Sequence, residues 1–318
     1  VEWMLELYIL NQNVQMQPEL KGDITWTTER RNAPGKLQFF VVKDNKLNFQ
    51  EGNQVTFLKD GKPLFLGYVW EKSRNKEQII TVTAYDQMRY LKYKDTYVYK
   101  VKKANEVISM IAKDYNLKTG QLSNTGYVIQ KRLKDNQTLL DIIYDALDLT
   151  FDNTKKIYTL YDEYGRLMLK DMESMRLDTV VDYDTTQDFS YKTTLDDVYN
   201  QIKLVKENKK TGKRDVFITK NTERQNQWGK LQYYEKVNEK TNAKAKADAL
   251  LELYCKVNRK LSVQNAIGDT RVRGGSSVLV NFKDIGDISI KNYMLVEKVT
   301  HKFSTDEHWM NLEVRGRM

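Results

Sequence analysis

The sequence predicts a mainly β protein with an α+β insertion: two small antiparallel β-barrel or sandwich modules and a small α+β domain. Three observations carry this. Apolar residues alternate along most of the first hundred residues, and strand signals return after about Val180. Turn chemistry interrupts those runs at short intervals, as barrels and sandwiches of short strands require. Between the two stretches the apolar spacing shifts to the helical period.

In chain order, Leu5, Leu7 and Ile9 alternate, then Leu37, Phe39 and Val41, then Ile80, Val82 and Ala84. Asn32-Ala33-Pro34-Gly35, Lys43-Asp44-Asn45 and Asp60-Gly61-Lys62-Pro63 separate the runs, the last being a strong hairpin signal. Residues 1–99 therefore read as the first barrel. In 100–176, Ala104–Tyr115 places Val107, Ile108, Ile111, Ala112 and Tyr115 on one helical face, and Asn116 suits a left-handed exit. A second helix spans about Thr138–Leu149, capped by Asp135 or Asn136, with Leu139, Ile143, Ala146 and Leu147 inward. The segment KIYTLYDEYGRLMLKD reads as a hairpin turning at Gly165. Residues 177–318 read as the second barrel, with an excursion near 205–236. A helix near 242–257, capped by Thr241, carries Ala243, Ala247, Leu250, Leu251, Tyr254 and Val257 on one face. It is expected to pack on that barrel through Ala247, Leu250, Leu251 and Tyr254. Strands follow at Leu279–Phe282, Tyr293–Phe303 and His308–Val314. Only three prolines occur and no Ser-rich linker, so the domains are expected to pack closely or share strands.

The two β-rich ends echo each other. FQEGNQVTF precedes PLFLGYVWEKSRNKEQIITVTAYD, and VRGGSSVLVNF precedes NYMLVEKVTHKFSTDEHWMNLEV. Each has a Gly three residues before a strand Val (Gly52 and Val55; Gly275 and Val278). Each continues into an apolar strand that ends in Glu-Lys (Glu71-Lys72; Glu297-Lys298). Two copies of one β-module explain that layout.

A length of 318 residues favours two or three domains, and 40% hydrophobic with 30% charged residues describes a globular chain. No apolar run approaches the ~20 residues that cross a bilayer, so no membrane partner is expected. VEWMLELYIL is acidic and lacks a cleavage pattern, so it does not read as a signal peptide. The single cysteine, Cys255, excludes an internal disulfide and reads as a small, half-buried side chain on a helix. A net charge of +9 raises the question of nucleic acid, but the lysines are interleaved with Asp and Glu. The densest run, Lys206–Arg214, reads as a solvated hairpin tip.

The residues offer no catalytic, cofactor or metal site. His301 and His308 can meet across a hairpin if Phe303 ends one strand and His308 opens the next, and they read as ordinary sheet residues. Asp162 with Glu163, and Asp196 with Asp197, read as solvated turns with nothing apolar to raise a carboxyl pKa. No P-loop, GxSxG or GxGxxG occurs, and Gly274-Gly275 leads into a strand. The twenty tyrosines, including Tyr233-Tyr234, suit strands and subunit contacts.

FQEGNQVTFLKDGKPLFLGYVWEK, VTAYDQMRYLKYKDTYVY, DVYNQIKLV, NQWGKLQYYEKV and a late KVTHKF, in that order, closely resemble the XkdQ-like proteins of defective prophages, tailocins and contractile-tailed phages of Gram-positive bacteria. The resemblance implies a central baseplate hub of a contractile tail: a homotrimer with two tube-like barrels per chain, joining a sixfold tail tube to a threefold spike. Partners so implied are further copies of the chain, the tube protein, the spike protein and other baseplate proteins. The place so implied is the cytoplasm during assembly, then the tail baseplate of a virion or tailocin. Gly52, Gly67 and Gly275 become turn or close-approach positions, Tyr85, Tyr90 and Trp228 packing anchors, and Gly229 follows Trp228 in the same motif. The resemblance implies no enzyme, no cofactor and no nucleic-acid partner. A nucleic-acid-binding module, revealed by a salt-dependent mobility shift, and a cell-wall hydrolase, revealed by a zymogram, are the alternatives.

Overall fold

In the computed structural model, which describes residues 4–207, 212–237, 242–285 and 289–316, sequence alternation becomes pleat. β1 (Leu5–Asn11) turns Leu7 and Ile9 inward and leaves their neighbours half-exposed, and β2 (Val14–Met16) folds back on it. The same period of two runs through β3 (Ile24–Glu29), β4 (Lys36–Val42), β5 (Gln54–Lys59), the long β6 (Lys62–Arg74) and β7 (Ile79–Tyr85). Their inward residues, among them Trp26, Phe39, Val55, Phe57 and Val82, make one core, which Phe303 joins from the far end of the chain.

A second core forms where the period lengthens. β8 (Lys94–Lys102) leads into α1 (Ala104–Asp114), which buries Val107, Ile108, Ile111 and Ala112 and exits through Asn116 at φ +54°. β9 (Thr119–Leu122) and β10 (Ile129–Thr138) follow, β10 pairing with β8. α2 (Leu139–Thr154) starts later than the cap residues in the sequence suggested: Thr138 is the N-cap, accepting from the Asp141 N–H, and Asn136 sits at φ +52° where the β8–β10 register slips. It also runs beyond Leu149. Thr150 and Thr154 return their hydroxyls to the carbonyls of Ala146 and Thr150, one turn earlier. β11 (Tyr158–Asp162) and β12 (Leu167–Asp171) form the hairpin around Gly165, and β9 adds to it in parallel. β13 (Arg176–Asp182) and β14 (Thr186–Thr194) come next.

The chain divides into two compact units, Val1–Ser190 with Ser262–Arg317, and Tyr191–Leu261. In the latter, β15 (Gln201–Glu207) lies between β16 (Arg214–Lys220) and β17 (Gln232–Val237), with α3 (Thr222–Trp228) between the last two in sequence. Glu207 pairs with Arg214, so the basic stretch does join two hairpin strands, while 208–211 lie outside the described residues. α4 (Ala243–Tyr254) corrects the helix predicted at 242–257. Asn242 caps it, accepting from the Ala245 N–H, and Thr241 lies outside the described residues. It packs on this three-stranded sheet, not on the β-strands at the end of the chain: Ala243 and Ala247 are buried against Ile202 and Leu204, and Leu250 and Leu251 are half-buried beside them. Leu250→Ala should therefore cost about 1–2 kcal/mol in urea melts, below the range for a fully buried leucine. A loss above about 3 kcal/mol would contradict this packing.

The last strands are β18 (Asn258–Ile267), β19 (Ser277–Phe282), β20 (Ile290–Phe303) and β21 (His308–Gly316). With β1–β7, β13 and β14 they make a 13-stranded sheet, joined where β20 pairs with β3. Two sets of strands in it share one order. The first runs β1-β5-β6-β7-β4-β3, the second β13-β19-β20-β21-β18-β14. One difference stands: β1 is antiparallel to β5, whereas β13 is parallel to β19. The chain is mainly β.

Candidate functional site

The two strand sets turn on the same corner. Gly52 (φ +86°) donates its N–H to the Val69 carbonyl and the Val69 N–H returns to Asn53, both at 2.8 Å. Gly275 (φ +96°) donates to Val296, and Val296 to Ser276, again at 2.8 Å. Immediately beyond each valine the register slips by one residue, between Val69 and Glu71 and between Val296 and Lys298. A bulge of this kind bends the strand and raises its twist. Positive φ is open to glycine at no steric cost, which accounts for both glycines. The sequence alignment of Glu71-Lys72 with Glu297-Lys298 is one residue out: the bulge residues are Trp70 and Glu297.

Gly67 sits opposite Val55, and a Cβ there would strike the Tyr85 carbonyl and the Phe65 ring. Tyr85 and Tyr90 are half-buried around Trp70, at 6.2 and 6.0 Å between ring centroids, and the Arg89 guanidinium lies 4.5 Å from the Trp70 ring. Trp228 ends α3 half-buried under Arg224, and Gly229 (φ +75°) closes that helix through Gln225. The structure thus brings Gly52, Gly67, Tyr85 and Tyr90 to one end of the first strand set, and places Gly275 at the second.

Beside these corners lies a buried polar junction that sequence reasoning missed. Asp86, just after β7, accepts from the Gly35 N–H at 2.8 Å and the Met88 N–H at 3.0 Å. Asp162, at the end of β11, accepts from Gln87 Nε2 and the Gly165 N–H, both at 2.8 Å. Arg273, in the loop before β19, donates from Nη2 to the Asp162 carbonyl at 2.9 Å and stacks 4.0 Å from the Tyr161 ring. Burial, and then the neighbouring Asp162, hold the Asp86 carboxyl well above the usual range, outweighing its two N–H donors. Burial likewise pushes Asp162 to about 6 and draws Arg273 below its ordinary value. Asp162 is 6% exposed, so its reading as a solvated turn residue is corrected; Glu163, Asp196 and Asp197 are exposed. Raised carboxyl pKa values can serve acid catalysis, but a general acid must reach a substrate. Asp86, at 5% exposure, and Asp162 are enclosed. The arrangement ties three chain segments together.

The two histidines meet across the β20–β21 hairpin, where Phe303 pairs with His308. His301 Nε2 is 2.8 Å from the Val272 carbonyl, and its Nδ1 is 2.9 Å from His308 Nε2. Both are paired sheet residues and both are buried, in a ring column with Trp26 and Phe303. Among the described residues no group of three His, Cys, Asp or Glu could hold a metal ion, and no helix is long and apolar enough to cross a membrane.

Two proteins of Bacillus subtilis (strain 168) are similar over nearly the whole length: YqbQ is 28% identical, covering 98% of this chain and 96% of its own, and the phage-like element PBSX protein XkdQ is 29% identical, covering 98% and 97%. The fold is shared with the 43 kDa tail protein of prophage MuSo2 from Shewanella oneidensis (TM-score 0.72, 12% identity, 97% of this chain and 98% of that one). It is also shared with the E. coli c3393 protein, a component of the type VI secretion system with structural similarity to T4 bacteriophage tail proteins gp27 and gp5 (TM-score 0.59, 9% identity, 98% and 77%). Of these relatives, the two solved structures are named as a prophage tail protein and a secretion-system component. The YqbQ-like family model matches residues 24–315, and the chain belongs to that family.

Proposed function

We propose that this chain is a structural hub subunit of a contractile phage-type tail, three copies of which close a ring between the tail tube and the cell-puncturing spike. The observation that supports this most is the duplicated strand order, each copy with its glycine corner and bulge, in a chain whose fold is that of prophage tail proteins. On this reading residues 1–99 and 177–318 each curl into a tube-like barrel, and 100–176 form the α+β domain between them. Three chains then offer six similar barrels to a sixfold tube while keeping threefold symmetry for a spike. Such a ring uses heterologous contacts, one barrel's edge against the other barrel of the next subunit. Gly52, Gly67 and Gly275 serve the barrel corners and close strand approach, and Tyr85, Tyr90, Trp228 and Gly229 the packing around them. The partners are the tube protein, the spike protein and other baseplate proteins; assembly takes place in the cytoplasm and the finished protein resides in the tail baseplate.

The net charge of +9 makes isolated protomers repel, so the trimer is expected to form fully only with a tube or spike partner. Native mass spectrometry with and without the spike protein, and imaging of the intact particle, should show three copies in the assembled hub. A stable dimer, or six copies, would overturn the proposal.

A further inference from the structure

We propose that the outer face of the β8–β10 ribbon is a docking strip for a protein segment that carries a carboxylate two residues from an apolar side chain. The inference does not rest on the hub reading. Facing residues of the two strands alternate between a buried and an outer side. On the buried side Tyr97 and Tyr99 point into the core, and Lys134 has its counter-ion, Asp145, at 2.7 Å. The outer side is built differently. Val98 and Leu133 stand directly opposite each other, 57% and 65% exposed, as an apolar cross-strand pair on the open side of the ladder. On the next rung Lys100 stands directly opposite Lys131. Like charges facing each other across a ladder destabilise it, and among the described residues neither lysine has an ion-pair partner.

The strip has a direction. Beyond the apolar pair, the Thr96 hydroxyl donates to the Asp135 carboxylate at 2.6 Å, which satisfies that end. Beyond the lysines, Val101 holds φ +49° and is 65% exposed, a conformation that β-branched residues rarely adopt. An apolar rung and a doubly cationic rung therefore lie next to each other, with a closed polar rung behind them. Side chains two residues apart on an extended segment share a face at the same spacing as successive rungs. A carboxylate placed between Lys100 and Lys131 would relieve their repulsion while its apolar neighbour covered Val98 and Leu133. A nucleic acid fits less well, because a polyanion tracking the ribbon would meet the Asp135 carboxylate on the same face.

The test is photo-crosslinking from position 133, with benzoylphenylalanine replacing Leu133, in cells that assemble the full chain with its own partners. The expected product joins position 133 to one segment of a different protein, with Asp or Glu two residues from an apolar residue. Its yield should fall at least tenfold in K100E/K131E and stay within twofold in K62E/K76E, which carries the same charge change on a remote surface. K131E alone sets opposite charges across the rung, so it should raise the melting temperature by about 1–3 °C while losing the crosslink. That combination separates a binding role from a structural one. A crosslink to nucleic acid, to a second copy of this chain or to a segment without a carboxylate would overturn the proposal. So would no crosslink, a yield indifferent to charge reversal, or a lower melting temperature for K131E.

Discussion

Arg273→Met is expected to destabilise the protein by about 3–5 kcal/mol at pH 7, the loss typical of removing one partner from a buried charge cluster. Arg273 is the cation that lowers the pKa values of Asp86 and Asp162. Methionine fills much of the space against Tyr161 and leaves both carboxylates without a counter-charge. The loss should depend on pH in a definite direction. Both carboxyls have folded-state pKa values raised above the unfolded value, so their burial costs nothing below about pH 4 and progressively more above it, Asp162 ionising through about 6. Without Arg273 those pKa values rise further, and the variant should approach wild type in acid and fall away from it at neutral pH. Urea melts at pH 7 and pH 4.5 measure this. A loss under about 1 kcal/mol at pH 7, or an equal loss at both, would show that the arginine acts only by packing.

Much of the fold was legible because its signals are local. Leu7 and Ile9, or Phe39 and Val41, declare a strand by alternation that needs no tertiary information, and Val107, Ile108 and Ile111 declare a helix in the same way. The paired glycines were legible too, since a left-handed corner admits few other residues. Where several neighbours could do the same job, the reading slipped. Asp135, Asn136 and Thr138 can all cap a helix, and only pairing with β8 decides that the strand continues through Asn136. The partner of α4 was misassigned for a related reason. An amphipathic face shows that something covers it but not which sheet, and the three-stranded sheet was visible only as an irregular excursion.

The buried junction was not legible at all, because nothing local distinguishes its members. Asp162 stands in Asp-Glu-Tyr-Gly, a composition that usually means a solvated turn, and here the turn is indeed at the surface with Glu163 exposed. What buries Asp162 comes from 75 residues earlier, through Gln87, and 111 residues later, through Arg273. Asp86 likewise looks like the end of a strand, and its second donor, Gly35, is 51 residues away. Only the resemblance of the AYDQMRYLK stretch to a family pointed toward that region, and it gave no role to the aspartate.

Through His301 and His308 alone, acid should destabilise the protein by up to about 4 kcal/mol between pH 6.5 and 4.5. The hydrogen bonds decide the protonation states. The Val272 carbonyl needs a donor, so His301 Nε2 carries the proton and its Nδ1 accepts from His308 Nε2–H. Burial lowers His301 to about 4; burial, then His301 and Lys59, lower His308 to about 3, with Asp269 acting weakly the other way. For a histidine with a lowered folded pKa, stability is fully present above the unfolded value of about 6.5 and is lost as pH falls toward the folded one. Each contributes up to about 1.4 kcal/mol per pH unit in that window. The carboxyls of Asp86 and Asp162 act oppositely there, gaining stability as they protonate, and offset part of the loss. H301F/H308F isolates the histidines, because phenylalanine keeps the ring column with Trp26 and Phe303 while removing both titrations. It should cost about 1–3 kcal/mol at pH 7 for the Val272 carbonyl left without its donor. Urea melts of this variant from pH 6.5 to 4.5 should show stability rising as pH falls, since the carboxyls then act alone. A variant that kept the wild-type slope would place the acid sensitivity elsewhere in the chain.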